Sequence, residues 1–288
     1  MESGLKTKRF TADPTYKTGS NPNKFLSLQI GRDGLSYSAL DLQRNHVDLV
    51  GEYIFDDVNS DAQLVGEVGR ILQNDEVFSS PFSKAVLSVS GEKSVLIPEA
   101  LFEEGRESDY LAFSNEVPAG HGVHSNQLVN IRSRCIFSVS GELAGLLEET
   151  FPASLLMHSS TPLIDVFALR MKREEGRNVI LHIQYSQFEM LVFEGAELNF
   201  YNSFSYTTAE DLLYYTLFVF EQLDLNHEKD GVQVYGEVDQ YGNLSELLQR
   251  YLGKVNFGHR TDMMVYSPSL DLIPGHYYAN LFHHFLCA

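Results

Sequence analysis

Apolar positions between Asn178 and Tyr206 alternate over three short runs, N-V-I-L-H-I-Q, F-E-M-L-V-F-E and L-N-F-Y-N-S-F-S-Y. Such runs predict strands, and the tight turns between them fall at Ser186-Gln187 and Gly195-Ala196. A longer apolar stretch with helical period follows from Thr208 to about Leu225. Displaced by 153 residues, the start of this unit falls on Lys24 to Asp41, with Leu28 on Leu181, Ile30 on Ile183 and Leu35 on Phe188. The pattern therefore predicts a duplicated unit of three strands, a helix and a further strand.

Taken in order, Lys24 to Gly31 is a strand, Arg32-Asp33-Gly34 a turn, and Leu35 to Asp41 and Val47 to Phe55 two returning strands. Asn59 or Ser60 caps a helix to about Asn74, whose apolar face is Leu64, Val65, Val68, Ile71 and Leu72. Lys84 to Ser90 is a fourth strand, Pro98 opens a helix through about Phe113, and Asn115 to Ser125 is a loop at the edge of an inserted subdomain. Strands at Gln127 to Ile131, Arg134 to Ser140 and Ser154 to His158 enclose a helix from Glu142 to about Thr150, and a helix from Pro162 to about Lys172 precedes the second unit. Beyond the Thr208 helix come a strand at Val232 to Tyr235, a helix at Leu244 to Leu252, a short strand near Val255 and a last helix from Pro274 to Leu286. This alternation favours α/β layers with the sheet in the middle.

Composition narrows the partners. The chain has 288 residues, 43% of them hydrophobic, enough for one large or two ordinary cores. Lys plus Arg number 21 against 39 Asp plus Glu, a net charge of -18, which argues against nucleic acid because duplex binding needs clustered cations. The local exception is residues 1–22, where Lys6, Lys8, Arg9 and Lys17 outnumber Glu2 and Asp13; this Thr-, Pro- and Gly-rich stretch reads as a flexible basic tail. Two cysteines, Cys135 and Cys287, suggest neither a disulfide framework nor a zinc site, and reduced thiols in a cytoplasmic protein are expected. The first residues lack the apolar core of a signal peptide, and the longest apolar run, Leu212 to Phe220, is about half of a membrane span.

Three segments repeat on a small scale: L-S-V-S-G-E ending at Glu92, F-S-V-S-G-E ending at Glu142 and V-Q-V-Y-G-E ending at Glu237. Glycine at the end of a strand is where α/β proteins often hold phosphate on backbone amides, but the glutamate after each glycine competes for that position, so an internal cap is the better reading. The histidines are weak metal candidates. His276, His283 and His284 share a predicted helix without the i, i+4 spacing of paired ligands, and His121 and His124 lie in a predicted mobile loop with no cysteine or acid nearby in sequence. Cys135, inside a strand, reads as packed rather than nucleophilic.

Two copies of a three-strand meander, helix and strand, with an insertion in the first, resemble the actin-like ATPase superfamily of sugar kinases, Hsp70 ATPase domains and actin homologues. The whole chain is also similar to a bacterial family carrying only a domain-of-unknown-function label. The resemblance implies a duplicated ribonuclease H-like, actin/Hsp70-type α/β fold with two lobes, each a mixed five-stranded sheet of order 3-2-1-4-5 flanked by helices, and a cleft between them. It divides the chain into the tail at 1–22, a first lobe at 23–172 with an inserted subdomain near 98–131, and a second lobe at 173–288.

The resemblance also implies an Asp-x-Gly phosphate turn in each lobe and a glycine-rich adenosine motif. Here the first turn reads Gln29-Ile30-Gly31, the second His182-Ile183-Gln184, and the adenosine motif falls on Gly236-Glu237-Val238-Asp239. An amide and an imidazole do not readily replace a carboxylate as Mg²⁺ ligands. The expectation is a non-catalytic module that uses the fold to bind another protein, possible self-association included, with no cofactor. The alternative is a divergent ATP- and Mg²⁺-dependent ATPase or kinase in which Asp33, Glu237 and Asp239 rebuild a metal site.

Overall fold

The computed structural model describes residues 5–19, 23–91, 93–114, 116–152 and 154–288, with backbone alone at Leu5 and Lys6. It divides into two compact units, the first made of residues 1–163, 262–272 and 281–288, the second of 164–261 and 273–280.

In the first unit β1 (Leu5–Ala12) precedes the meander β2 (Lys24–Gly31), β3 (Gly34–Asp41) and β4 (His46–Phe55). Helix α1 (Asp61–Asn74) starts at Ser60, whose hydroxyl accepts the Gln63 N–H while Gln63 reaches back to the cap, and buries Leu64, Val68, Ile71 and Leu72. The chain continues through β5 (Lys84–Val89), β6 (Ser94–Pro98), α2 (Glu107–Ser114), β7 (His121–Leu128), β8 (Ser133–Ser140), α3 (Gly141–Thr150) and β9 (Leu155–His158). Helix α4 (Ser160–Met171) carries the chain into the second unit. There β10 (Arg177–Ile183), β11 (Gln187–Glu194) and β12 (Glu197–Ser205) form the second meander, followed by α5 (Ala209–Gln222), β13 (Gly231–Gly236), α6 (Asn243–Tyr251) and β14 (Val255–Phe257). The last elements are β15 (Val265–Tyr266) and α7 (Ala279–His283).

The second sheet runs β12-β11-β10-β13-β14, the expected order 3-2-1-4-5. The first contains the same order as β4-β3-β2-β5-β9 and extends it, with β1 antiparallel on the outer edge of β4 and β15 parallel to the start of β4. The central strands β2 and β10 are buried along most of their length, which explains why both read as near-continuous apolar runs. On one face of the second sheet Leu181, Ile183, Met190 and Val234 pack with Leu212 and Leu248 in a single apolar cluster. Burying each such side chain contributes about 1.5–3 kcal/mol.

The duplication holds to the level of register. β3 pairs with β4 from Gly34 opposite Ile54 to Ala39 opposite Leu49, where a bulge intervenes. β11 pairs with β12 from Gln187 opposite Ser205 to Val192 opposite Phe200, and the bulge falls at the same step. The parallel pairs match too, Ile30 with Val89 and Ile183 with Gly236.

Several expectations need correction. Of residues 1–22, the stretch Leu5–Ala12 is a strand with Arg9 opposite Glu52 and Phe10 opposite Gly51, while 1–4 and 20–22 lie outside the described residues. Pairing to an edge gives a polar segment structure that its own composition does not. The second unit does not extend over 173–288, because residues 262–272 and 281–288 belong to the first, through the β15–β4 pairing and the Phe285 ring on Phe25 at 5.4 Å. The insertion is a three-stranded sheet β6-β8-β7 with α2, so Ser94–Pro98 is strand where Pro98 was expected to open a helix, and His121–Leu128 is strand where a mobile loop was expected. The helix expected from Pro274 to Leu286 is α7 plus a 3-10 turn at His284–Cys287, interrupted by Tyr278 at φ +57°. Among the described residues no helix is long and apolar enough to cross a membrane.

Candidate functional site

The first turn closes β2 onto β3. Gln29 lies on β2 between Ser36 of β3 and Ser88 of β5, so the place of the expected carboxylate holds an amide flanked by hydroxyl residues. Past it, a side chain on Gly31 would run into the Ser90 hydroxyl. Ser90 itself is tied to Ile30 O by its N–H (2.8 Å) and its Oγ (3.3 Å). Arg32, the cation of the turn, pairs with Asp61 of α1 at 2.6 Å, and Asp61 also meets His121 Nε2 of β7 at 2.9 Å. The His121 hydrogen bond, aided by Arg32 and opposed by burial, holds the Asp61 carboxyl below its usual range. Asp33 closes the hairpin, its carbonyl accepting the Phe55 N–H at 2.9 Å.

The second turn is built differently. His182 sits opposite Glu189, and the two form a buried pair at 3.0 Å (Nδ1 to Oε2), each side chain 2% exposed. Tyr201 of β12 donates to the other carboxylate oxygen at 2.8 Å. Three strands of the meander thus spend their polar groups on one another. Gln184 follows, with its N–H on Gln187 O at 2.8 Å and its carbonyl accepting Tyr206 Oη at 2.6 Å.

The Gln184 side-chain Nε2 is buried without a hydrogen-bond partner among the described residues, whereas the backbone of the adenosine position is internally bonded. Gly236 has φ +98°, and a Cβ there would collide with Ile183 O, so only glycine fits. Its N–H donates to His276 O at 2.9 Å, and the Glu237 N–H donates to Ile183 O at 2.9 Å. His276 Nε2–H donates to Val238 O at 2.8 Å, and burial pushes the His276 pKa below its ordinary value. Asp239 accepts the Tyr241 N–H at 2.9 Å and, through its carbonyl, the Ser245 hydroxyl at 2.5 Å, shaping the entry to α6.

Tested against a Mg²⁺-nucleotide, the residues of the second turn and of the adenosine position do not fit. The Gly236 and Glu237 amides of the expected adenosine motif are bonded to His276 and Ile183, the Gln184 amide of the second expected phosphate turn to Gln187, and the His182 imidazole to Glu189. The arrangement stabilises the turns.

The model of a family described as "Protein of unknown function (DUF3822)" matches residues 13–255. The chain belongs to the DUF3822 family. A search of curated proteins returns no match. Among solved structures, a Bacteroides thetaiotaomicron protein with an actin-like ATPase fold and unknown function is 21% identical with a TM-score of 0.76, covering 85% of this chain and 94% of that one. A chain of the PilM-PilN type IV pilus biogenesis complex is 13% identical with a TM-score of 0.60, covering 91% and 97%. The ethanolamine utilization protein EutJ from Carboxydothermus hydrogenoformans is 12% identical with a TM-score of 0.50, covering 94% and 92%. At these identities the likeness shows the fold: this DUF3822 chain has the actin-like ATPase fold, and both the family and the fold expected from its repeats hold.

The remaining polar residues are placed by distant partners. His121 meets the acid Asp61, while His124 stacks on Phe137 at 5.6 Å. His276 and His283 share no helix, because α7 begins only at Ala279. Cys135 is fully buried, its Sγ 3.4 Å from Ser160 Oγ, and Ser160 in turn meets His158 Nδ1 at 2.7 Å. Asn126 closes this network through the His158 N–H (2.9 Å), the Thr161 hydroxyl (3.2 Å) and its own bond to Leu156 O (3.0 Å). Glu142 lies exposed in the first turn of α3, whose cap is Ser140, with its hydroxyl accepting the Leu143 N–H; Glu92 lies outside the described residues. Nothing in the sequence signals the Asp75 hub, where Tyr37 Oη (2.9 Å), Tyr53 Oη (2.6 Å) and Lys8 Nζ (3.0 Å) converge, because its partners are 22 to 67 residues away.

Proposed function

We propose that this chain is a non-catalytic member of the actin-like fold, a cytoplasmic protein-binding or scaffold module that needs no nucleotide or metal. The observation that carries the reading is the buried His182–Glu189 pair, which fills the place of a metal-organising carboxylate with an imidazole already bound to an acid of its own sheet. A ligand at the second turn or the adenosine position would have to break that pair or the bonds to Ile183 and His276, each costing about 1–3 kcal/mol for the group left unpaired. PilM, a structural neighbour, occurs in a complex with PilN, which supports protein binding as a use of this fold. Isothermal calorimetry of the full chain with Mg-ATP and Mg-ADP tests the reading. No saturable heat is expected up to millimolar nucleotide, and saturable micromolar binding overturns it.

A further inference from the structure

The two meanders share a register and differ at one edge. In the first unit β1 covers β4 over six consecutive pairs, from Thr7 opposite Ile54 to Ala12 opposite Leu49. By the shared pairing and bulge, the segment Leu49 to Ile54 corresponds residue by residue to Phe200 to Ser205 of β12. Among the described residues β12 is the end strand of its sheet and pairs only with β11.

The phase of the ladder shows what this edge offers. Tyr206 N–H bonds to Ser186 O at 3.0 Å, as Phe55 N–H bonds to Asp33 O at 2.9 Å in the first unit. Hydrogen-bonded and non-bonded pairs alternate in an antiparallel ladder, so Phe204 and Asn202 turn their backbone groups to β11 while Ser203 and Ser205 turn theirs outward. Among the described residues the Ser203 N–H is met by the side-chain Oδ1 of the adjacent Asn202, at 2.9 Å, and by no neighbouring strand. Such an edge templates a further strand.

The surroundings define the occupant. Phe204 stacks on Tyr215 at 5.2 Å, Tyr215 meets Tyr214 at 5.4 Å, and Tyr214 stacks on Phe218 at 6.4 Å. Tyr214 and Phe218 are 64% and 47% exposed on α5, an aromatic surface continuous with the strand. From Asn178 to Glu228 the sequence contains eight Asp or Glu and neither Lys nor Arg. A second copy of β12 would bring like charge against like; a cationic strand would not.

We propose that β12 is the docking edge for an extended, Lys- or Arg-bearing segment of another protein, added antiparallel along Phe200 to Ser205 with apolar side chains toward Tyr214 and Phe218. The strand β1 is the template, since its sequence L-K-T-K-R-F-T-A already serves the equivalent edge. This deepens the proposed protein-binding role and rests on it. The two tests fail separately, because nucleotide heat leaves edge protection untouched and a silent edge leaves the calorimetry unchanged.

The probe is a synthetic peptide of the β1 sequence, added to the full chain, whose first edge is already covered. Amide hydrogen exchange at Ser203 and Ser205 should slow at least tenfold at saturating peptide. Affinity, read by fluorescence anisotropy, should fall at least tenfold for the peptide carrying Lys6→Glu, Lys8→Glu and Arg9→Glu. It should fall similarly for the Ser203→Pro chain, which loses an outward N–H while its melting curve stays the same. The surface pair Tyr214→Lys with Phe218→Lys gives a second route to the same loss should Ser203→Pro not fold. No slowing at peptide excess, or equal binding of the charge-reversed peptide, overturns the proposal. Slowing that grows with protein concentration without peptide also overturns it, in favour of a second copy as occupant.

Discussion

Two edges of one duplicated design differ more than the sheets they bound. The six residues Leu49 to Ile54 and the six residues Phe200 to Ser205 have the same partners by register and the same bulge beside them. One row is covered by β1 and fastened through Arg9 to Glu52 at 3.4 Å and Lys8 to Asp75 at 3.0 Å. The other faces outward beside an exposed aromatic pair on α5. Apolar burial constrains the strands that both units must share, whereas edges and turns are constrained only by what each must contact, and there the two copies have diverged.

The comparison breaks most visibly at Asp75. Its carboxylate holds the hydroxyls of two buried tyrosines and the lysine of β1, and the Val77 N–H besides, at 3.0 Å. Burial costs this carboxyl, but the Tyr53, Val77, Lys8 and Tyr37 hydrogen bonds outweigh that cost and keep its pKa below the ordinary value. Asp75→Ala strands two hydroxyls in an apolar setting and should cost about 3 kcal/mol in a urea melt. Exchange over Leu5–Ala12 should quicken with it, as the fastened edge comes to resemble the bare one. A cost under about 1 kcal/mol would show that β1 is held by its ladder and the Arg9–Glu52 pair rather than by Asp75.

A smaller effect comes from acid. His284, in the first unit, is fully buried, and burial drives its pKa from 6.5 down to about 3. The unfolded chain takes up a proton as pH falls below about 6.5 and the folded chain does not, so stability is complete above that pH and declines toward pH 3. The slope is about 1.4 kcal/mol per pH unit, or about 2 kcal/mol lost by pH 5. His276 in the second unit shifts the same way and adds to the loss. Urea midpoints between pH 7 and pH 5 measure it. His284→Leu, close in volume and without a titrating group, should flatten the slope; an unchanged slope would place the titrating group elsewhere.

How much of this was legible follows from the range of each interaction. The meanders and the cap of α1 rest on local alternation, residue type and a repeat visible along the chain, and the 3-2-1-4-5 order on the family resemblance. That Gln29 and His182 stand where the resemblance expects aspartates is likewise readable residue by residue. The strand at Leu5–Ala12 was not readable, because its sequence is polar and its stability comes from an edge more than thirty residues away. Nor were the His182–Glu189 pair, which needs the register of two strands, and the His276 bond to Val238 O, which spans 38 residues. Sequence patterns identify what the turns lack, and only the fold shows what occupies them instead.

The finest comparison lies in the helices that follow the two meanders. Both begin with a capping box: Ser60 Oγ accepts the Gln63 N–H at 3.3 Å, and Thr208 Oγ1 accepts the Asp211 N–H at 3.1 Å. The reciprocal bonds run from Ser60 N–H to Gln63 Oε1 at 3.1 Å and from Thr208 N–H to Asp211 Oδ2 at 2.9 Å. Ser60→Ala and Thr208→Ala should each cost about 1 kcal/mol. In hydrogen exchange that is roughly a fivefold acceleration, read in the first turn of α1 for one variant and of α5 for the other. Both residues also accept the N–H one position before the cap, Asn59 at 2.9 Å for Gln63 and Thr207 at 3.1 Å for Asp211, but Asp211 carries a charge at the helix N-terminus, so α5 retains more of its cap when the Thr208 hydroxyl is removed. Thr208→Ala should therefore be the milder of the two; if it proves the harsher, the shared frame does not extend to how the two helices are started.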